Sequence, residues 1–164
     1  YDTLFDGDIS KWDTSSVESM NAMLSCSSFN GDISEWNVSN VTDMSEMFRN
    51  SSFNGDLSKW DVSSVENMIS MFQDSQFNGD LSKWDVSSVV SMFYMFEHSQ
   101  FDNDISQWDV SNVKDMTCMF FRSKFSGNVS TWNTDNVERM DYMFMETPQE
   151  GMEPEWYKVV EIEN

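Results

Sequence analysis

The sequence predicts an α/β solenoid of six 24-residue strand-plus-helix units, and three observations carry that reading. The glycines stand at positions 7, 31, 55, 79, 127 and 151, separated by 24 residues or by twice 24. The tryptophans keep the same clock, at 12, 36, 60, 84, 108, 132 and 156. Between them one apolar pattern recurs, opening at Phe5, Phe29, Phe53, Phe77, Phe101 and Phe125. Two unrelated residue types on one period mark a tandem array, although 164 residues would suffice for a single ordinary core. The array is expected over residues 1–147, with an N-terminal edge that reads as truncated. A C-terminal cap is expected over 148–164.

Residues 53–76 serve as the type unit. Asn54-Gly55 marks a tight turn of the kind that calls for positive φ. Leu57, Trp60 and Val62 end in an apolar–polar–apolar step, which predicts a short half-buried strand with Asp61 pointing out. Val65, Met68, Met71 and Phe72 then fall at i, i+3, i+6 and i+7, one face of a short helix. Ser63 with Glu66, and Ser15 with Glu18, read as capping boxes at its start, with Asp135 and Glu138 a charged variant. Such a unit buries too little alone, so units stack, and Met and Trp form columns through the core. The last segment departs from the pattern. Trp156 and Gly151 keep the clock, but Trp156-Tyr157-Lys158-Val159 reads as a capping strand that covers the final edge.

The repeat resembles a known family. Ile33-x-x-Trp36-x-Val38 fits the strand core of leucine-rich repeats. The fuller string from Phe29-Asn30-Gly31-Asp32-Ile33 through Trp36-Asn37-Val38-Ser39-Asn40-Val41 to Met44, Met47 and Phe48 is similar to the BspA-type leucine-rich repeat. Val41 stands where the ordinary leucine-rich repeat has Asn or Cys. The resemblance covers about residues 5–147. It implies a leucine-rich-repeat-like β/α solenoid on a cell surface or outside the cell, anchored through other parts, and a role in adhesion or protein binding. It brings no catalytic residues and no cofactor.

Charge narrows the partners. The formal net charge is −20, from 29 acidic and 9 basic residues. Such a surface repels nucleic acid and anionic membranes. No apolar run approaches the roughly 20 residues that span a bilayer, so no direct membrane insertion is expected of this segment. A protein partner is expected, either one with a basic surface or a host or neighbouring subunit. Cys26 and Cys118 fall on different repeat phases almost four units apart, too far to pair. No metal-ligand spacing appears, and no catalytic or metal residues are assigned. His98, the one histidine, reads as a solvated loop residue.

Function should lie where units differ, and two surfaces qualify. The first is an acidic strand-face ladder of Asp13, Asn37, Asp61, Asp85, Asp109 and Asn133. At a strand spacing of about 4.8 Å its carboxylates repel by about 0.9 kcal/mol in water, which favours a cation or a Lys/Arg-rich partner. A second acidic column, Asp8, Asp32, Asp56, Asp80 and Asp104 with Asn128, is read as accepting backbone N–H groups in the turns. The other surface is the expected outer helix face. There Phe93, Tyr94, Cys118, Phe121 and Tyr142 replace small or polar residues and form a candidate partner-binding patch. Three functions remain open: an adhesion or protein-binding module, a structural subunit inside a larger and possibly organellar assembly, or cation binding by the ladder.

Overall fold

The computed structural model describes Phe5 and residues 7–158. Six rungs stack at the expected period: 5–28, 29–52, 53–76, 77–100, 101–124 and 125–147. The strand-plus-helix unit does not form. Among the described residues there is no α-helix, and β-structure is confined to isolated parallel bridges linking Ser19, Asp43, Asn67, Ser91, Asp115 and Arg139.

Each rung is instead a closed circuit of tight turns. In the type rung, carbonyls accept amides three residues on at 57–60, 62–65, 68–71, 70–73 and 72–75. Four alternate amides leave the rung. Met68, Ser70, Phe72 and Asp74 donate to the carbonyls of Ser91, Phe93, Met95 and Glu97 in the next rung, at 2.8–3.1 Å. The same four-amide set recurs from Met20 to Arg122. An α-helix over 63–72 would need those amides to bond four residues back along the chain. The stack takes them sideways, so the i, i+3, i+6, i+7 pattern buries its apolar side chains without a helix.

Side-chain oxygens decide the matter. Ser63, read as a helix cap, gives its amide and hydroxyl to Asp61 Oδ1 at 3.2 and 2.6 Å. Asn67 Oδ1 accepts from Ile69 N, and Ser75 Oγ from Phe77 N. Local bonds of this kind compete with helix formation. Two residues per rung also take left-handed φ, Ser70 (53°) and Asp74 (55°) in the type rung, which no α-helix interior accommodates. Asn50 and Asp74 suit that region; Tyr94 and Tyr142 do not.

The Asn-Gly expectation is corrected too. Among the described residues, positive φ falls on those non-glycine positions and, of the glycines, on Gly151. Gly55 is needed for space, because a Cβ there would stand 2.7 Å from Phe53 Cζ.

The core is a set of aromatic and methionine columns. Phe48, Phe72, Phe96, Phe120 and Phe144 stack at 5.5–5.8 Å, the first four each with a second phenylalanine column at the side. Each indole N–H from Trp36 to Trp156 donates to a carbonyl 27 residues back, as Trp84 Nε1 does to Leu57 O at 3.0 Å. Trp60 and Val62 are buried and Asp61 between them is exposed, as the alternation anticipates.

Past residue 147 the expected capping strand is absent from the described residues; Val159 lies outside them. Residues 148–158 form turns. Trp156 continues the indole column over Trp132 at 6.2 Å, and Tyr157 meets Phe144 edge-on at 5.2 Å.

Three substitutions test these forces. Trp84→Phe removes one of the two N–H groups that bond the Leu57 carbonyl, leaving Trp60 N, and should lower stability by about 0.5–1.5 kcal/mol. Trp12→Phe should cost far less, because the Trp12 indole N–H meets no acceptor among the described residues. Ala22→Gly, at an exposed left-handed position (φ 53°), should raise stability by about 0.5–1 kcal/mol. Denaturant midpoints read all three.

Candidate partner-binding groove

A depression lies on the wall that carries the parallel bridges. It is an open groove of about 690 Å³ crossing rungs three to six. Two columns frame it. One runs Glu18, Thr42, Glu66, Val90, Lys114, Glu138; the other runs Asn21, Ser45, Ile69, Phe93, Thr117, Asp141. Both columns are polar or charged in most rungs, so Ile69, Val90 and Phe93 are exceptions, and all three line the groove. Val90 is 41% exposed, a large apolar side chain left in water where neighbouring rungs put Glu and Lys.

The other end of the groove is charged. Arg139 Nη2 bonds Asp115 Oδ2 at 2.9 Å, and Asp115 Oδ1 accepts from Thr117 N at 3.0 Å. Lys114, Glu138 and Asp141 complete that end. The groove therefore offers an apolar floor beside fixed charges of both signs, an arrangement that can seat a peptide or protein segment.

Of the residues singled out in sequence, Phe93 is in the groove wall and Tyr94 packs against it, ring centroids 4.0 Å apart. Tyr94 is also hydrogen-bonded to Cys118. Burial pushes the Cys118 thiol up, so it stays protonated and serves as packing, 7% exposed. Phe121 stands apart, stacked on His98 at 5.9 Å with the Arg122 guanidinium 4.8 Å above its ring. Tyr142 is 46% exposed on the rung beyond. The five thus form a Phe93–Tyr94–Cys118 cluster, a separate Phe121 cluster, and an outlying Tyr142. Sequence reading missed Ile69, Val90, Lys114 and Arg139. The signal for Ile69, Val90 and Lys114 was present as departures within the two framing columns, and Arg139 departs in the column of Ser19, Asp43, Asn67, Ser91 and Asp115 between them.

Both cysteines are free thiols. His98 is exposed, with Nδ1 3.3 Å from Asp74 Oδ1.

The acidic ladder has a local duty. Asp13, Asn37, Asp61, Asp85, Asp109 and Asn133 each accept the amide two residues on at 3.0–3.2 Å. Hydroxyl and amide bonds from the following serine hold Asp13, Asp61 and Asp109 below the usual carboxylate range. The Asp8-to-Asn128 column makes the same amide bonds at 2.9 Å. Among the described residues no group of three or more His, Cys, Asp or Glu could hold a metal ion. No helix there is long and apolar enough to cross a membrane.

Stacked rungs of one 24-residue type define a tandem-repeat protein. The family model for "Mycoplasma protein of unknown function, DUF285" matches residues 1–76 and 52–156, and the chain belongs to that family. Neither the curated proteins nor the solved structures contain a match.

The capping role predicts the acid behaviour. A carboxylate held low in the folded state stabilises it above the unfolded pKa, and that stability is lost as pH falls through the folded value. Asp61→Asn with Asp109→Asn keeps the Oδ1 acceptor and removes the titration. Stability at pH 7 should change by less than about 0.5 kcal/mol, while the loss between about pH 5 and pH 2 becomes shallower than in the parent. Urea titrations across pH measure both.

Proposed function

We propose that the chain is a non-catalytic protein-binding module whose docking face is the groove framed by Ile69, Val90, Phe93, Lys114 and Arg139. The observation that carries the reading is the run of apolar residues in columns that are otherwise polar. Packing does not account for Val90, which is exposed, and apolar side chains left in a groove with a polar rim are the usual form of an interaction site. Tyr94 supports it. The rung geometry imposes left-handed φ at this position, where Gly or Asn costs least, and a tyrosine is placed there at φ 56°. Its ring backs Phe93, the larger of the groove's apolar anchors.

The proposal extends to kinship and setting. The string from Phe29 to Phe48 supports membership among BspA-type repeats, and with it adhesion at a cell surface or outside the cell. The net charge of −20 supports a partner whose surrounding surface is basic. A bridging-subunit role has no comparable feature behind it. Cation binding by the ladder competes with turn bonds that already engage one oxygen of each residue.

Immobilised chain titrated with proteins selected on it from a protein array tests the reading. Val90→Ser with Phe93→Ser should weaken Kd by about 30-fold, equivalent to about 2 kcal/mol, with the folded stability of the chain monitored in parallel. An unchanged Kd in a folded double variant would sink the groove assignment.

A further inference from the structure

Asn-Gly pairs stand near the start of three successive rungs, at 30–31, 54–55 and 78–79, and carry a chemistry that folding does not use. Packing fixes the glycine. A Cβ at Gly55 or Gly79 would lie 2.7 Å from Cζ of the phenylalanine two residues back, and at Gly31 2.8 Å. The asparagine is exposed at all three sites, yet its side chain bridges rungs. Asn54 N donates to Asn30 Oδ1, Asn78 N to Asn54 Oδ1 and Asp102 N to Asn78 Oδ1, each at 2.8 Å. The amides of Gly31, Gly55 and Gly79 make no hydrogen bond among the described residues. An unbonded amide beside an exposed carboxamide, with no side chain on the glycine to shield it, is the arrangement in which asparagine cyclises. The glycine nitrogen attacks Asn Cγ, the Cγ–Nδ2 bond breaks, and ammonia leaves with the amide proton. Water then opens the imide at either carbonyl, giving aspartate or isoaspartate.

We propose that Asn30, Asn54 and Asn78 are self-modification sites, each held shut by the amide of the next rung, with Asn78 held twice. To cyclise, the carboxamide must turn from the next rung onto its own glycine, and that breaks the junction bond. At Asn78 a second donor must be broken as well. Asn103 Nδ2 bonds Asn78 Oδ1 at 3.0 Å and Asn78 O at 2.7 Å. Asn103 stands at the phase of Gly7, Gly31, Gly55, Gly79 and Gly127, which have no side chain to supply such a bond. The two products differ in what the stack tolerates. Asp102 occupies the phase of the three asparagines and accepts from Ser126 N through Oδ1 at 2.7 Å, so aspartate keeps the junction while adding a charge. Isoaspartate inserts a methylene into the main chain between the phenylalanine and the glycine that its ring lies against.

The local sequence is Phe-Asn-Gly-Asp at all three sites, so differences in rate report the structure. Peptide mass spectrometry of the chain kept at mildly alkaline pH, folded and in urea, reads each site separately. In urea the three asparagines should deamidate at similar rates. In the folded chain all three should slow by about tenfold or more, because cyclisation waits for the junction to open. Asn78 should be slower than the other two by about fivefold, the effect of one more hydrogen bond. Asn103→Ala keeps the Cβ and removes the carboxamide. It should bring Asn78 to the rate of Asn30 and Asn54 and leave those two unchanged. Circular dichroism checks that the variant is folded, and the parent's own three rates decide where it is not. Folded rates equal to the urea rates overturn the proposal, since the ladder would then hold nothing. So does an Asn78 that is no slower than its two counterparts, or one that Asn103→Ala fails to speed in a folded chain.

Discussion

Each of the first five rungs passes four amides to the next, and that transfer governs the rest of the molecule. A buried amide without an acceptor costs about 1–3 kcal/mol, so the rung cannot choose its conformation alone. Met68, Ser70, Phe72 and Asp74 point along the stack because Ser91, Phe93, Met95 and Glu97 lie there to receive them. Alternate residues turn their amides out of the rung while the residues between close turns within it. That alternation is what places left-handed φ at Ser70 and Asp74. The strain of about 1–2 kcal/mol at such a residue persists because neighbouring rungs over-determine it. The same register brings Phe over Phe and Trp over Trp, so aromatic packing and hydrogen bonding reinforce one geometry.

The composition follows from the turns. A rung built without regular secondary structure has many amides that no helix or ladder would satisfy. Short side chains with oxygens satisfy them: Asp56 for Ser58, Asp61 for Ser63, Asn67 for Ile69 and Ser75 for Phe77. Among the described residues, no buried side-chain nitrogen or oxygen lacks a partner. Much of the negative charge is therefore structural, because Asp fills capping positions that Asn fills elsewhere, as at Asn37, Asn128 and Asn133. An acidic column in this protein is first a column of turn caps.

The period, the buried columns and the inward Trp60 and Val62 were legible in the sequence, because each depends on which residues recur and which are apolar. The local conformation was not. Val65, Met68, Met71 and Phe72 satisfy a helical face and a turn circuit equally well, and only the destination of the amides separates the two. Ser63 and Glu66 mimic a capping box because the same oxygens that cap helices also cap turns. Gly55 could not be interpreted without the Phe53 ring that lies against it. For the site, Phe93 and Tyr94 were visible as departures from a column. Ile69 and Val90 were departures of the same kind, equally legible in the sequence, at phases three residues apart, and they line one groove with Phe93.

This architecture separates folding from recognition along the sequence. At phases occupied by Phe53 or Phe72, a change in one rung disturbs two junctions, since each ring stacks on the rungs before and after it. At the phases of Ile69, Val90 and Phe93 the backbone makes its junction bonds whatever the side chain, as the exchange of Asn, Ser, Ile, Phe, Thr and Asp along one column shows. Side chains there are free to vary at little cost to stability, and neighbouring rungs hold them in fixed register. An apolar group at such a phase gains little for the fold. Its presence in adjacent rungs, beside Lys114 and Arg139, is the arrangement expected when a partner rather than the core determines which residue stands there.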